Sequence, residues 1–127
     1  MHREPARSIL VIIVDDDESV RESLPHLVRE LGYDAREFAS ADAFLASGCI
    51  PETRCLILDI ALPGMSGPAL QRELIRRGHS IPVIFITALG KESLPPGLLQ
   101  HGTIDVLFKP FSEQDLSAAL AAAFARD

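Results

Sequence analysis

The sequence predicts an α/β fold in which five parallel strands alternate with helices. Continuous aliphatic runs such as "ILVIIV" at residues 9–14 are typical of parallel strands covered on both faces. Segments with apolar residues at helical spacing separate these runs. The chain has 127 residues, of which 47% are hydrophobic and 24% charged. This composition can bury the core of one ordinary domain and argues against disorder.

The amino-terminal part predicts two strand–helix pairs. The strand at residues 9–14 precedes a helix at about residues 20–31, which Gly32 ends. A short strand follows at about residues 35–38. The next helix is also short and begins after Ser40, a residue type that caps helix N-termini.

The rest of the chain predicts three further strands. "RCLILD" forms a buried strand that ends at Asp59, and Pro68 then occupies the first position of a helix. "PVIFIT" and "IDVLF" form strands at residues 82–87 and 104–108. The final helix begins after its N-cap, Ser112.

Five strands that alternate with five helices predict a (βα)5 flavodoxin-like, doubly wound parallel sheet with strand order 2-1-3-4-5. Ligands of such sheets bind at the carboxyl ends of the strands, near the switch between strands 1 and 3. We expect a single domain over residues 1–127, with its core at about 8–125 and no output domain in this chain.

Composition excludes several classes of protein. The net charge of −6 argues against direct nucleic acid binding, and no apolar run is long enough to cross a membrane. Cys49 and Cys55 form no CxxC motif, so we expect two reduced thiols in or near the core. A cytoplasmic location follows.

Polar residues follow four of the predicted strands, at Asp15 and Asp16, Asp59, Thr87 and Lys109. Taken singly, these residues have ordinary structural explanations, such as a strand-end cap or a solvated turn. Together they predict a phosphoryl-transfer site. Three carboxylates in one pocket require a cation, and oxygen ligands suit Mg²⁺. Asp59 would be the nucleophile, with Lys109 and Thr87 contacting phosphoryl oxygens.

The acidic run that follows the first strand divides into two groups. Asp15 and Asp16 are candidate metal ligands. Asp17 and Glu18 are interpreted as solvated acids at a helix N-terminus, where the helix dipole favours negative charge.

The ordered motifs "VDD", "LILDIALPGMSG", "VIFITA" and "FKPF" resemble those of bacterial response-regulator receiver domains. The resemblance covers about residues 9–124, and "LPGMSG" and "IDVLFKPF" are most similar to receivers of the nitrogen-fixation regulator type. It implies a signalling domain, not an enzyme. A sensor histidine kinase would phosphorylate it, and an output domain, a partner protein or a second copy of the chain would respond.

The resemblance also implies a role for each matching residue. Asp59 matches the phospho-acceptor. Asp16 matches a direct Mg²⁺ ligand, Asp15 a ligand through water, and Ala61 the residue whose backbone carbonyl completes the metal shell. Thr87 matches the switch hydroxyl. Lys109 matches the lysine that pairs with phosphate, and its bond to Pro110 is commonly cis in such domains.

Three positions depart from the family pattern. Val106 replaces the usual Tyr or Phe of the last strand, so an aromatic rotamer switch cannot operate as usual. Pro95 and Pro96 interrupt the fourth helix, which we expect to be short or mobile. Ala61 and Leu89 offer nothing to orient an attacking water, so we expect slow self-dephosphorylation.

Two alternatives stay open at this point. A Mg²⁺-dependent phosphohydrolase also uses a strand-end aspartate, but typically needs an acid at the position of Ala61. A receiver-like interaction module that signals without phosphorylation is favoured modestly by Val106 and by the interrupted helix. The set of Asp59, Thr87 and Lys109 argues against that module.

Overall fold

The structure is a computed structural model that describes residues 9–125. Its five strands are β1 (Leu10–Val14), β2 (Asp34–Phe38), β3 (Thr53–Asp59), β4 (Val83–Thr87) and β5 (Thr103–Phe108). All neighbouring strands pair in parallel, in the order β2-β1-β3-β4-β5. The predicted doubly wound sheet and its strand order are confirmed. The outer parts of the predicted domain, residues 1–8 and 126–127, lie outside the described residues.

Four α-helices accompany the sheet: α1 (Glu18–Glu30), α2 (Ala41–Leu45), α3 (Gly67–Arg76) and α4 (Glu113–Phe124). Short 3-10 helices occupy Ile50–Glu52 and Lys91–Ser93. The Ser40 and Ser112 hydroxyls accept hydrogen bonds from backbone N–H groups at the starts of α2 and α4, as predicted.

Each face of the sheet carries its own apolar core, because side chains alternate between the two faces along a strand. Residues such as Ile12 and Phe85 pack against α2 and α3. Residues such as Ile13 and Ile86 pack against α1 and α4. Cys49 and Cys55 are buried free thiols, as predicted, and they lie in opposite cores.

The fourth of the five predicted helices, which we expected to be short or mobile, does not form: the described residues between β4 and β5 contain no α-helix, so that prediction was wrong. The 3-10 helix at Lys91–Ser93 and a turn at residues 96–99 stand in its place. Pro96 disfavours helical geometry at Pro95, and Gly97 and Gly102 have φ angles of 76° and 90°. His101 also has a positive φ of 62°. Backbone of this kind cannot continue an α-helix.

Buried side-chain hydrogen bonds hold this connection against α3. Gln71 Nε2 donates to the carbonyl oxygen of His101 at 3.2 Å and to Thr103 Oγ1 at 3.0 Å. Thr103 Oγ1 lies 2.7 Å from the carbonyl oxygen of Leu98 and 2.9 Å from that of Gln100. Hydrogen bonds to α3 therefore hold this connection in place, where a packed helix would otherwise do so through apolar contacts. Leu99 stays 68% exposed.

Candidate functional site

Four strand ends bring the predicted site residues to one edge of the sheet. Asp15 directly follows β1, Asp59 ends β3, Thr87 ends β4, and Lys109 directly follows β5. The Lys109 N–H donates to the carbonyl oxygen of Thr87 at 2.7 Å, which extends the β4–β5 pairing to the site. The Lys109–Pro110 peptide bond is cis. Residues that are distant in sequence therefore become neighbours because parallel strands all end at the same edge.

The Lys109 ammonium lies between two of the carboxylates. Its Nζ atom is 2.9 Å from Asp15 Oδ2 and 3.7 Å from Asp59 Oδ2. Partial burial disfavours the charged form of Lys109, but the hydrogen bond that its ammonium donates to Asp15 and the charges of Asp15 and Asp59 outweigh this effect. The pKa of Lys109 consequently lies above its ordinary value. The Lys109 ammonium therefore interacts with both the Asp15 and the Asp59 carboxylates.

The three predicted metal ligands lie together. Asp15, Asp16 and Asp59 each present a carboxylate oxygen within 4.8 Å of the other two. Asp15 is 0% exposed and Asp59 is 7% exposed, whereas Asp16 is exposed. Burial, followed by the charge of Asp15, raises the pKa of Asp59, against the opposing effects of the Ala61 N–H and Lys109. One ammonium therefore does not fully compensate this cluster.

The chemistry of this donor set fits a hard divalent cation. All three side chains offer oxygen, which suits Mg²⁺, and the exposed Asp16 leaves the cluster open to water that such an ion retains. Ala61 is fixed beside the cluster because its N–H donates to Asp59 Oδ1 at 3.1 Å. The Ala61 backbone is therefore held next to the carboxylate that ends β3.

Asp17 lies at the N-terminus of α1, as the sequence predicted. Asp15 Oδ1 accepts a hydrogen bond from the Asp17 N–H at 2.9 Å. Asp17 is the N-cap of α1, and its carboxylate accepts from the N–H and the hydroxyl of Ser19. The hydroxyl hydrogen bond from Ser19 lowers the pKa of Asp17. Asp17 thus caps α1, while the Asp15 carboxylate bonds the Lys109 ammonium.

Thr87 is fully buried at the end of β4. Its Oγ1 accepts a hydrogen bond from the Leu89 N–H at 2.9 Å, so the hydroxyl folds over the loop that follows its own strand. This bond uses an acceptor position of the hydroxyl and leaves its proton for donation. The structure places Thr87 at the site through its backbone contact with Lys109.

Sequence reasoning missed Arg21. Its Nη1 donates to the carbonyl oxygen of Asp15 at 3.1 Å, which ties α1 to the turn that holds two of the acids. A signal was available, because an arginine in the first turn lies at the end of a helix where the dipole disfavours positive charge. The four adjacent acids at residues 15–18 explain the exception.

Comparison with known proteins gives one consistent match. The family described as "Response regulator receiver domain" matches residues 11–121. Nodulation protein W of Bradyrhizobium diazoefficiens is 41% identical over 99% of this chain and 56% of its own length. The transcriptional regulatory protein FixJ of Azorhizobium caulinodans is 37% identical over 94% of this chain and 56% of its own length.

Solved structures agree with these relatives. The response regulator StyR has a TM-score of 0.85 at 40% identity, over 94% of this chain and 60% of that one. The structure described as FixJ-N has a TM-score of 0.83 at 33% identity, over 95% of this chain and 97% of that one. The chain spans about half the length of the curated relatives it matches. Among residues 9–125, no helix has the length and apolar character that a membrane crossing requires.

Proposed function

The chain belongs to the response-regulator receiver domains, and from this premise we propose that it is a phosphorylatable switch of a two-component system. Asp59 would accept a phosphoryl group from a sensor histidine kinase. The observation that carries the proposal is the position of Lys109 Nζ, within 2.9 Å of Asp15 and 3.7 Å of Asp59. A cation held between the proposed nucleophile and a proposed metal ligand is suited to a phosphoryl group that arrives with negative charge.

The proposed transfer uses groups that already face one another. A carboxylate oxygen of Asp59 attacks the phosphorus of a phosphohistidine, the P–N bond breaks, and the imidazole leaves with its electron pair. Lys109 then pairs with a phosphoryl oxygen, and the Thr87 hydroxyl donates to another. Asp15, Asp16, Asp59 and the Ala61 carbonyl would hold Mg²⁺, which supplies charge neutralisation to the phosphoryl oxygens when bound.

Phosphorylation would change the balance of charges that fixes the site. Lys109 bonds Asp15 in this structure, and the Thr87 hydroxyl bonds the Leu89 N–H. A phosphoryl group on Asp59 would compete with Asp15 for Lys109 and would accept the free proton of the Thr87 hydroxyl, and so would shift the population of two arrangements of the loops after β4 and β5. The proposed readers of this change are an output domain, a partner protein or a second copy of the chain. We place the switch in the cytoplasm, without direct contact to nucleic acid or membrane.

Slow loss of the phosphoryl group forms part of the proposal. The Ala61 and Leu89 side chains are both exposed beside the site, and neither can hydrogen-bond a water. A water that attacks the acyl phosphate would therefore have to be oriented by other groups. Ala61 also weighs against a phosphohydrolase, which would use an acid there to protonate the leaving group.

A receiver that signals without phosphorylation is the second candidate, and two observations favour it. Val106 packs into the core beside Phe85, where the family has an aromatic switch residue, and the helix between β4 and β5 is absent. Such a domain would bind its partner equally well before and after treatment with a phosphodonor.

The decisive experiment is phosphorylation by a small donor. We expect acetyl phosphate with Mg²⁺ to add one phosphoryl group to the parent chain and none to Asp59→Asn, as measured by intact mass. Asp17→Asn is the matched control, because it changes an adjacent acid that caps α1, and it should still be phosphorylated. An unmodified parent chain would defeat the proposed switch and leave the second candidate.

A further inference from the structure

Gly67, the first residue of α3, lies against the backbone at the end of β3. A Cβ atom at this position would lie 3.2 Å from the carbonyl carbon of Asp59 and 3.3 Å from the Cα of Ile60. Its distance to the carbonyl oxygen of Asp59 would be below 3.0 Å, which is shorter than the contacts that Cβ atoms make in proteins. All three neighbours are backbone atoms, so none can rotate away. Only glycine fits at this position, because any side chain would clash with the backbone at the end of β3.

The same residue closes the loop that joins β3 to α3. The Gly67 N–H donates to the carbonyl oxygen of Ile60 at 3.2 Å. Ala61 lies inside the loop closed by this bond, and its N–H holds Asp59 Oδ1. The proposed nucleophile and the proposed carbonyl ligand therefore depend on how closely α3 approaches β3.

α3 cannot easily move away from β3 to make room for a larger residue at position 67, because the face that carries Gly67 is anchored in the core. Leu70 and Leu74 are buried in the core, and Gln71 is hydrogen-bonded to Thr103 and His101. The loop at residues 61–64 is exposed at three of its four positions and packs less. An added methyl group would consequently displace the end of β3 and this loop more than it displaces α3.

We infer that Gly67 is a positioning residue, which sets the Asp59 carboxylate and the Ala61 carbonyl at the spacing that Mg²⁺ binding and phosphorylation need. This inference rests on the proposed function. It predicts that Gly67→Ala weakens Mg²⁺ binding at least about tenfold, as the loss of outer-shell support does in other metal sites. The maximal rate of phosphorylation should fall at least as much, because small misplacements of reacting groups are costly.

The test compares Gly67→Ala with Gly90→Ala and the parent chain. A Cβ at Gly90 meets only the flexible carboxylate end of Glu92, at 3.3 Å, so this control receives the same methyl group without a backbone clash. Calorimetry gives the Mg²⁺ affinity, and intact mass over a range of acetyl phosphate concentrations separates the maximal rate from the donor affinity. Urea unfolding gives the stability of each protein.

Weaker Mg²⁺ binding and a lower maximal rate in Gly67→Ala alone would support the inference. A variant that loses only stability, with Mg²⁺ affinity and maximal rate within twofold of the parent, would overturn it. If Gly67→Ala is unfolded in buffer, the comparison is repeated for all three proteins in trimethylamine N-oxide, which favours the folded state without entering the site. Failure to fold there also overturns the inference, since Gly67 would then govern folding. A parent chain that binds Mg²⁺ but is never phosphorylated would defeat the proposed function. The comparison of Mg²⁺ affinities would still show whether Gly67 positions the proposed metal ligands.

Discussion

Replacing Lys109 with methionine removes an ammonium that faces two buried carboxylates and keeps a side chain of similar length. The structure places this ammonium 2.9 Å from Asp15 Oδ2 and 3.7 Å from Asp59 Oδ2. At an effective dielectric constant of about 20, each attraction is roughly 4 to 6 kcal/mol before desolvation and side-chain ordering are subtracted. Asp15 is fully buried, so it would lose its countercharge without gaining water.

The net loss is smaller than the sum of these attractions. Removing one partner of a buried ion pair costs roughly 3 to 5 kcal/mol. Because the Lys109 side chain is 21% exposed, water offsets part of that cost. We expect Lys109→Met to lower the free energy of unfolding by about 2 kcal/mol at neutral pH without metal, closer to the value of a charged hydrogen bond. If Mg²⁺ binds as proposed, it should restore part of this loss, since it would neutralise the same carboxylates.

Urea unfolding followed by circular dichroism, in EDTA and in Mg²⁺, measures both effects. Lys91→Met is the matched control, because Lys91 is exposed in the 3-10 helix after β4 and should change stability little. A double-mutant cycle with Asp15→Asn should give a coupling energy of about 1 to 2 kcal/mol. A loss under about 0.5 kcal/mol in EDTA, or a coupling energy near zero, would refute the electrostatic role assigned to Lys109.

Three further predictions concern charge, packing and chemistry. The pKa of Asp59 is raised, so its carboxylate destabilises the metal-free fold as pH rises above the ordinary value of 3.8. Asp59→Asn should then raise the free energy of unfolding at neutral pH and leave it unchanged below pH 3.8, and a less stable variant in neutral urea titrations would contradict this. Thr103→Val removes the hydroxyl that contacts Gln71 Nε2 and the carbonyl oxygen of Leu98, and it should lower the free energy of unfolding by about 1 to 3 kcal/mol, whereas Thr103→Ser should lower it less; equal thermal stability of both variants would count against the described network. Ala61→Asn should shorten the lifetime of the phosphorylated form several-fold by orienting water, and an unchanged decay measured by intact mass would remove the explanation offered for slow hydrolysis.

Much of the site could be predicted from local patterns. The apolar runs ending at Val14 and Asp59 fix where the strands stop, and polar residues follow them directly. Since parallel strands end at a common edge, the topology by itself implies that Asp15, Asp59 and Lys109 meet there. The place of Asp17 at the N-cap of α1 was also predictable, because capping is a local property of a helix N-terminus.

The contacts made by Arg21 and Gly67 could not be predicted in this way. Arg21 bonds a backbone carbonyl, a group present at every residue, so its unusual place in the first turn of α1 suggests that it has a partner but does not identify that partner. Gly67 lies in a segment rich in turn residues, where a glycine usually reflects backbone conformation. Its actual requirement is the space between α3 and the end of β3, which exists only once the two elements are packed.

The connection between β4 and β5 shows most clearly which features the sequence determines and which depend on the tertiary structure. Pro95 and Pro96 show from the sequence alone that a regular helix is disfavoured, because a proline restricts the residue before it. What replaces the helix was decided by tertiary contacts. Gln71 on α3 reaches Thr103 and the carbonyl of His101, and these buried hydrogen bonds fix a loop that has few apolar anchors. The sequence therefore determined which residues meet at the carboxyl edge, since strand order and strand ends follow local patterns. Only the tertiary structure decided how closely they meet, since that depends on how α3 packs against the backbone at the end of β3.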